Sequence, residues 1–201
     1  MFSNLFEACK IDAYRGSVLD ERCYLGVDIA LGGKDATTAV ILSETGKVLN
    51  IERWRDSETS MQIARIQQIL KNYNIVGGNI EMNTERGIQQ AISKVNPLIK
   101  PWQTTLQSKM DAVQNLKKDI EDGTLQLPSP KLDPILYSEM AAYQAEQVSR
   151  GIRYTHPSGG HDDSVDALWL ANESRMPNRY TNFMPRLGSS IGNKNKYNNF
   201  R

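Results

Sequence analysis

With 201 residues the chain can bury one substantial core, and length alone suggests a single domain with loose ends. Lys plus Arg number 24 against 23 Asp plus Glu, so the formal charge of +1 excludes a global charge bias toward any class of partner. Two cysteines, no signal peptide and no apolar run near the ~20 residues of a membrane span argue against a disulfide framework, a zinc site and an integral membrane protein, and for a reduced, cytosolic one.

Residues 1 to 21 lack clear periodicity and are expected to be a linker remnant. From Arg22 the pattern predicts a strand to Ile29, a turn over Leu31 to Asp35, a strand Thr37 to Ser43, a turn at Glu44-Thr45-Gly46-Lys47 and a strand Val48 to Trp54. Short turns between three strands imply an antiparallel meander. Ser57 to Ser60 offers caps for a helix to about Tyr73 with Met61, Ile63, Ile66, Ile69 and Leu70 as its stripe, and a strand Ile75 to Glu81 follows. A helix Glu85 to Lys94, a short strand Leu98 to Lys100 and a helix Ser108 to Glu121 ended by Asp122-Gly123 come next. Leu125 to Leu127 reads as an edge strand, Pro134 to Gln147 as a helix, and His161 to Glu173 as the last helix. A meander followed by alternating strands and helices predicts an α/β fold with a mixed sheet, an antiparallel three-strand meander plus parallel strands, flanked by helices. From Arg175 to Arg201 six basic and no acidic residues stand among Asn, Gly, Ser and Pro, a composition expected of a flexible basic tail.

The most informative residue is Asp28. It interrupts the apolar run Tyr24-Leu25-Gly26-Val27-Asp28-Ile29-Ala30, and a carboxylate drawn out of water must be paired, hydrogen-bonded, metal-bound or neutral. Glu81 closes Ile75-Val76-Gly77-Gly78-Asn79-Ile80, where ligands of open α/β sheets collect, and would face Asp28 if the two strands are neighbours. Gly159-Gly160-His161-Asp162-Asp163-Ser164-Val165-Asp166 then puts three acids at the start of an apolar helix. One acid there is ordinary capping; three exceed that need, and Asp162 and Asp166, four apart, repel unless a cation lies between them. Acids from two strands and a helix start suit a hard cation such as Mg²⁺, and two such ions support phosphodiester hydrolysis. The residues therefore point to a metal-dependent nuclease.

In order and spacing these segments resemble the nuclease domain of the large terminase subunit of tailed bacteriophages, of the ribonuclease H-like superfamily that includes the RuvC-type resolvases. Gly26-Val27-Asp28 through Asp35-Ala36-Thr37 is similar to that family's first acidic motif, Ile80-Glu81-Met82-Asn83 to its second, and Gly160-His161-Asp162-Asp163-Ser164-Val165-Asp166-Ala167 to its third. Ser108-Lys109, Glu121-Asp122-Gly123 and Glu139 also follow the family's pattern. The resemblance spans about Arg22 to Glu173 and implies a ribonuclease H-like nuclease domain over 22 to 174. It further implies that Asp28, Glu81 and Asp163 are catalytic and that Asp28, Glu81, Asp162 and Asp163 hold two Mg²⁺ or Mn²⁺ ions, Asp28 bridging both. Neighbours on a helix point about 100° apart, so one of Asp162 and Asp163 is expected to reach the metals directly. Asp166 is a third candidate, and His161 is either beside the metals or a capping residue.

The implied activity is endonucleolytic cleavage of concatemeric viral DNA during packaging, in the cytoplasm of the infected bacterial host. Double-stranded DNA, a packaging ATPase domain, the small terminase subunit and the portal are the implied partners, with no membrane. The chain has no Gly-x-x-x-x-Gly-Lys-Ser/Thr loop, which is expected of a nuclease domain excised from its ATPase or of a stand-alone relative. For DNA contact the sequence offers Lys109, with Lys117 and Lys118 on the same predicted helix, Arg150 and Arg153 in an arm before the last motif, and the basic tail. A Holliday-junction-resolvase-like nuclease is the nearest alternative. A silent DNA-binding module is another, and Asp28-x-Ala30 before Thr37-Thr38 bears a faint likeness to actin-like nucleotide-binding domains.

Overall fold

The structure, a computed structural model, describes residues 1–30, 35–56, 58–81, 86–149 and 151–176. The expected Gly32-Gly33 turn, the Ser57 cap, Met82-Asn83 of the second motif, Arg150 and the tail beyond 176 lie outside the described residues. Strands β2 (Val18–Asp28), β3 (Thr37–Ser43) and β4 (Val48–Trp54) form the expected antiparallel meander. After helix α2 (Thr59–Asn72), β5 (Tyr73–Glu81) returns beside β2 in parallel, and after α3 (Arg86–Val95) β6 (Ile99–Trp102) adds in parallel to β5. The resulting mixed sheet has the order β4-β3-β2-β5-β6.

Alternation along β2 sorts its side chains to two faces. Cys23, Leu25 and Val27 join Ile66 and Ile69 of α2 and Ile88 and Ile92 of α3 in one apolar cluster. Tyr24 points the other way, to a cluster with α4 (Leu106–Glu121), α5 (Pro134–Ala142) and α6 (Asp163–Arg175). Gly26, two residues on, lets α6 lie on the sheet: a Cβ there would meet the Ala167 carbonyl oxygen at 2.1 Å and the Ala171 nitrogen at 2.3 Å. Asn79 of β5 clamps the same helix, donating from Nδ2 to the Leu170 carbonyl at 2.9 Å. Asp28 and Glu81, on the α6 side by the same alternation, come to the end of the sheet where that helix begins.

Three elements differ from the sequence reading. Ahead of β2 the chain is not featureless: α1 (Leu5–Ala8) and β1 (Cys9–Ile11) form, Phe2, Leu5 and Ala8 are buried, and β1 pairs in parallel with β7 (Leu127–Pro128). The predicted helix from Pro134 stops at Ala142. Beyond it β8 (Gln144–Val148) and β9 (Gly151–Thr155) make an antiparallel hairpin, whose Tyr154 stacks on Tyr143 with centroids 6.4 Å apart. Helix α4 begins earlier than predicted because Thr105 and Ser108 form a capping box, Ser108 N donating to Thr105 Oγ1 at 3.1 Å and Thr105 N to Ser108 Oγ at 2.9 Å. Among the described residues no helix is long and apolar enough to cross a membrane.

Candidate metal centre

Asp28 and Glu81 are brought together by strand order. β2 and β5 are parallel neighbours with Val27 opposite Ile80, so both strands release an acid at the same end of the sheet. The exit of β2 is pinned: the Ala30 N–H donates to Thr37 Oγ1 at 3.0 Å, and Gln62 Nε2 donates to the Ala30 carbonyl at 3.0 Å while its Oε1 accepts from Trp54 Nε1 at 2.6 Å. Among the described residues no cation pairs with Asp28. Burial first, then a hydrogen bond to the Glu81 side chain and the nearby charges of Asp166, Glu81 and Asp163, push its carboxyl well above the ordinary range. Two carboxyl groups hydrogen-bond only when a proton lies between them, so the pair holds one.

The third acid depends on how α6 starts. Asp162 occupies the N-cap position but its side chain makes no capping bond. Glu139 of α5 takes that role from outside the helix, Oε2 accepting from the Ser164 N–H at 2.8 Å and the Val165 N–H at 3.3 Å, and Oε1 from the Ser164 hydroxyl at 3.1 Å. Arg53 of β4 braces the arrangement, with Nε donating to Ser164 Oγ at 3.0 Å and a two-pronged bond to Asp133, 2.8 and 3.0 Å, at the N-cap of α5. Tyr14 donates to the same Asp133 at 2.6 Å, so the segment ahead of β2 helps to position α6.

With the helix start fixed, the adjacent acids diverge. Asp163 turns to the sheet, where Oδ2 accepts the Ala36 N–H at 3.2 Å and its charge is felt at Asp28. Burial raises its pKa, and the neighbouring Asp35 carboxylate adds to this. Asp162 turns away: Oδ2 lies 3.3 Å from Lys109 Nζ and Oδ1 3.6 Å from His156 Nε2. Asp166 is saturated by protein. Lys109 Nζ lies 2.6 Å from Oδ2, and Oδ1 accepts from Tyr143 Oη at 3.1 Å and Trp169 Nε1 at 2.9 Å. Burial still pushes Asp166 up to about 6, against the opposing pull of Lys109.

Asp28 and Glu81 thus meet at one end of the sheet, where the charges of Asp166 and Asp163 reach Asp28, whereas Asp162 faces a lysine. Sequence puts Lys109 among DNA contacts; in the structure its ammonium is engaged by two carboxylates over the Tyr143 ring, 5.8 Å from the centroid. Arg153 is paired with Glu146 across the hairpin at 2.6 Å, and Lys117 and Lys118 with Glu121 and Asp122 on the exposed face of α4. Sequence reasoning left Asp35 outside its candidate residues. His161 Nδ1 lies 3.1 Å from Asp35 Oδ1, and one donor atom each from Asp35, His161 and Asp163 lie within 4.8 Å of one another. The capping role of Glu139 and the pairing of Lys109 were also not foreseen; the signal for the second was the repulsion between Asp162 and Asp166, which required a cation without naming it.

No family model and no curated protein matches the sequence. Solved structures do. The chain is similar to the large terminase nuclease from the thermophilic phage G20c, with a TM-score of 0.73 and 19% identity over 86% of this chain and 96% of that one. It is also similar to the large terminase nuclease domain of Thermus phage P74-26, at 0.68 and 20% over 86% and 93%. Against the HK97 bacteriophage large terminase it scores 0.61 at 14% identity, covering 84% of this chain and 42% of that one. The G20c nuclease is known with bound cobalt, magnesium and zinc. At these identities the likeness is one of fold: over most of its length the chain has the ribonuclease H-like fold of phage large terminase nuclease domains.

Proposed function

We propose that this chain is the nuclease domain of a phage large terminase and cleaves DNA by metal-dependent phosphodiester hydrolysis. The observation that carries the reading is Asp28: a carboxyl drawn out of water, with no cation of the protein opposite it among the described residues, hydrogen-bonded to a second acid and close to a third on α6. Oxygen donors without a thiol suit Mg²⁺ or Mn²⁺. Asp28, Glu81 and Asp163 are the residues we assign to hold two such ions. When bound, the ions lower the pKa of an attacking water and stabilise charge on the phosphate and leaving oxygen.

The chain's own groups prepare that chemistry. Asp28 and Glu81 share a proton that binding of cations would displace, which would couple metal uptake to proton release. Asp163 is held by the Ala36 amide and by the capped start of α6, so the third carboxylate is aimed before metal binds. Glu139, Arg53 and Asp133 are positioning residues that fix this aim.

In a complete terminase, an ATPase motor with the small subunit and portal would deliver concatemeric DNA to this domain in the infected cell. The domain alone would then bind duplex weakly and without sequence preference, the motor supplying effective concentration. Arg150, Arg153 and the cations of the tail are the groups we assign to phosphate contact. The test is plasmid cleavage by the purified chain: cutting in Mg²⁺ or Mn²⁺, none in EDTA and none in Ca²⁺ supports the reading, and undiminished cutting in EDTA overturns it.

A further inference from the structure

Three acids stand within the first turn and a half of α6, yet the geometry divides them. Asp162 and Asp166, four residues apart, share a face on which a divalent ion would find two carboxylates of a ready chelate. That gap is filled. Lys109 reaches it from the start of α4, placing Nζ 2.6 Å from Asp166 and 3.3 Å from Asp162, with the ammonium over the Tyr143 ring and its side chain 18% exposed. Burial alone would weaken such an ammonium, but the facing carboxylates of Asp166 and Asp162 outweigh it and hold the charge on.

We propose that Lys109 is a positioning residue that partitions the acids of α6: as a tethered cation it occupies the Asp162/Asp166 face and so reserves divalent ions for Asp28, Glu81 and Asp163. This rests on the nuclease reading above. The ammonium is covalently attached, so it competes at high effective concentration with ions from solution. It also neutralises two of the charges that would otherwise draw an ion away from the strand ends. Lys109 is thereby distinguished from a phosphate-binding lysine, whose ammonium would have to leave both carboxylates to reach DNA.

The experiment compares Lys109→Met, Lys109→Arg and the double variant Lys109→Met/Asp166→Asn with the unaltered chain, using Mn²⁺ calorimetry without DNA and plasmid cleavage in Mn²⁺. In Lys109→Met the freed acids should bind an additional Mn²⁺ while cleavage falls at least roughly tenfold. The double variant should lose that extra ion and recover cleavage to within about threefold, because removing both partners of an ion pair leaves no stranded charge. Lys109→Arg should resemble the unaltered chain. The proposal is overturned if Lys109→Met binds Mn²⁺ with unchanged stoichiometry, if it cleaves normally, or if the double variant cleaves as poorly as the single one. Should Lys109→Met fail to fold, the double variant decides alone: near-normal cleavage supports the partition and loss overturns it. Absence of Mn²⁺ binding or cleavage in the unaltered chain would strike the nuclease reading, not this one.

Discussion

Two pairs of carboxylates near the start of α6 are compensated in opposite ways. Asp162 and Asp166 meet a lysine fixed by the fold, and Tyr143 and Trp169 complete the coordination of Asp166. Asp28 and Glu81 meet each other, and the repulsion is relieved by a proton. A carboxylate whose counter-charge is built in belongs to the architecture. One that shares a proton with a second acid can exchange it for a metal ion, and the proposed site rests on this distinction.

The sharpest way to break the comparison is to neutralise one member of each pair. Asp28→Asn should lower plasmid cleavage by roughly 10³-fold or more, on the scale of losing electrostatic stabilisation of a transition state. Its melting temperature in EDTA should be equal or higher, since the substitution removes a largely desolvated carboxyl that no cation among the described residues compensates. Asp166→Asn should do the reverse, costing about 3 kcal/mol in chemical denaturation because it strands part of a buried ion pair. Mn²⁺ affinity measured by calorimetry should change little. Equal effects of the two substitutions on stability would erase the distinction.

Glu139→Ala tests whether positioning is separate from ligation. It strips three hydrogen bonds from the start of α6 and should cost about 1–3 kcal/mol of stability, and Mn²⁺ should bind more weakly although no proposed ligand is removed.

Acidity sharpens the comparison further. Asp166 titrates at about 6 in the folded chain against an ordinary 3.8, and Asp28 is raised as well. Between the unfolded and folded values the native state holds more protons than the unfolded one. Metal-free stability from Asp166 is therefore greatest at the acid end and declines as pH rises from about 4 through 6, by up to about 1.4 kcal/mol per pH unit, and Asp28 contributes a decline of the same sign. Urea titrations in EDTA across that range should show the decline, with a shallower slope in Asp28→Asn and a reversal on adding Mn²⁺ above pH 6.

The smallest expected effect concerns the tail. Removing residues 186–201 should weaken duplex binding and flatten its salt dependence, by roughly 0.9 in log-log slope for each phosphate that the tail neutralises, without altering Mn²⁺ affinity. An unchanged slope would mean the tail touches no phosphate.

Much of this was legible in the sequence because it violates a burial rule. An aspartate in an apolar strand, a glutamate closing another and three acids on one helix start each need a reason, and together they pointed to one site. The order of β2 to β4 was equally plain, since short turns force antiparallel neighbours. What stayed hidden depends on distant partners. Lys109 reaches acids 53 and 57 residues away, and no local spacing announces that. Strand β8 carries Gln144, Glu146 and Gln147 and lacks the alternating apolar residues that mark a strand; its pairing with β9 and the Tyr154–Tyr143 stack supply a hold that local propensity does not. Likewise α1 is one turn long, and β1 exists through a short pairing with β7 more than a hundred residues on.

The most direct test of the central claim is anomalous diffraction from crystals soaked in Mn²⁺. The account predicts density among Asp28, Glu81 and Asp163, with Lys109 still seated on Asp162 and Asp166. Manganese bound instead by Asp162 and Asp166, with Lys109 displaced and Asp28 bare, would contradict it.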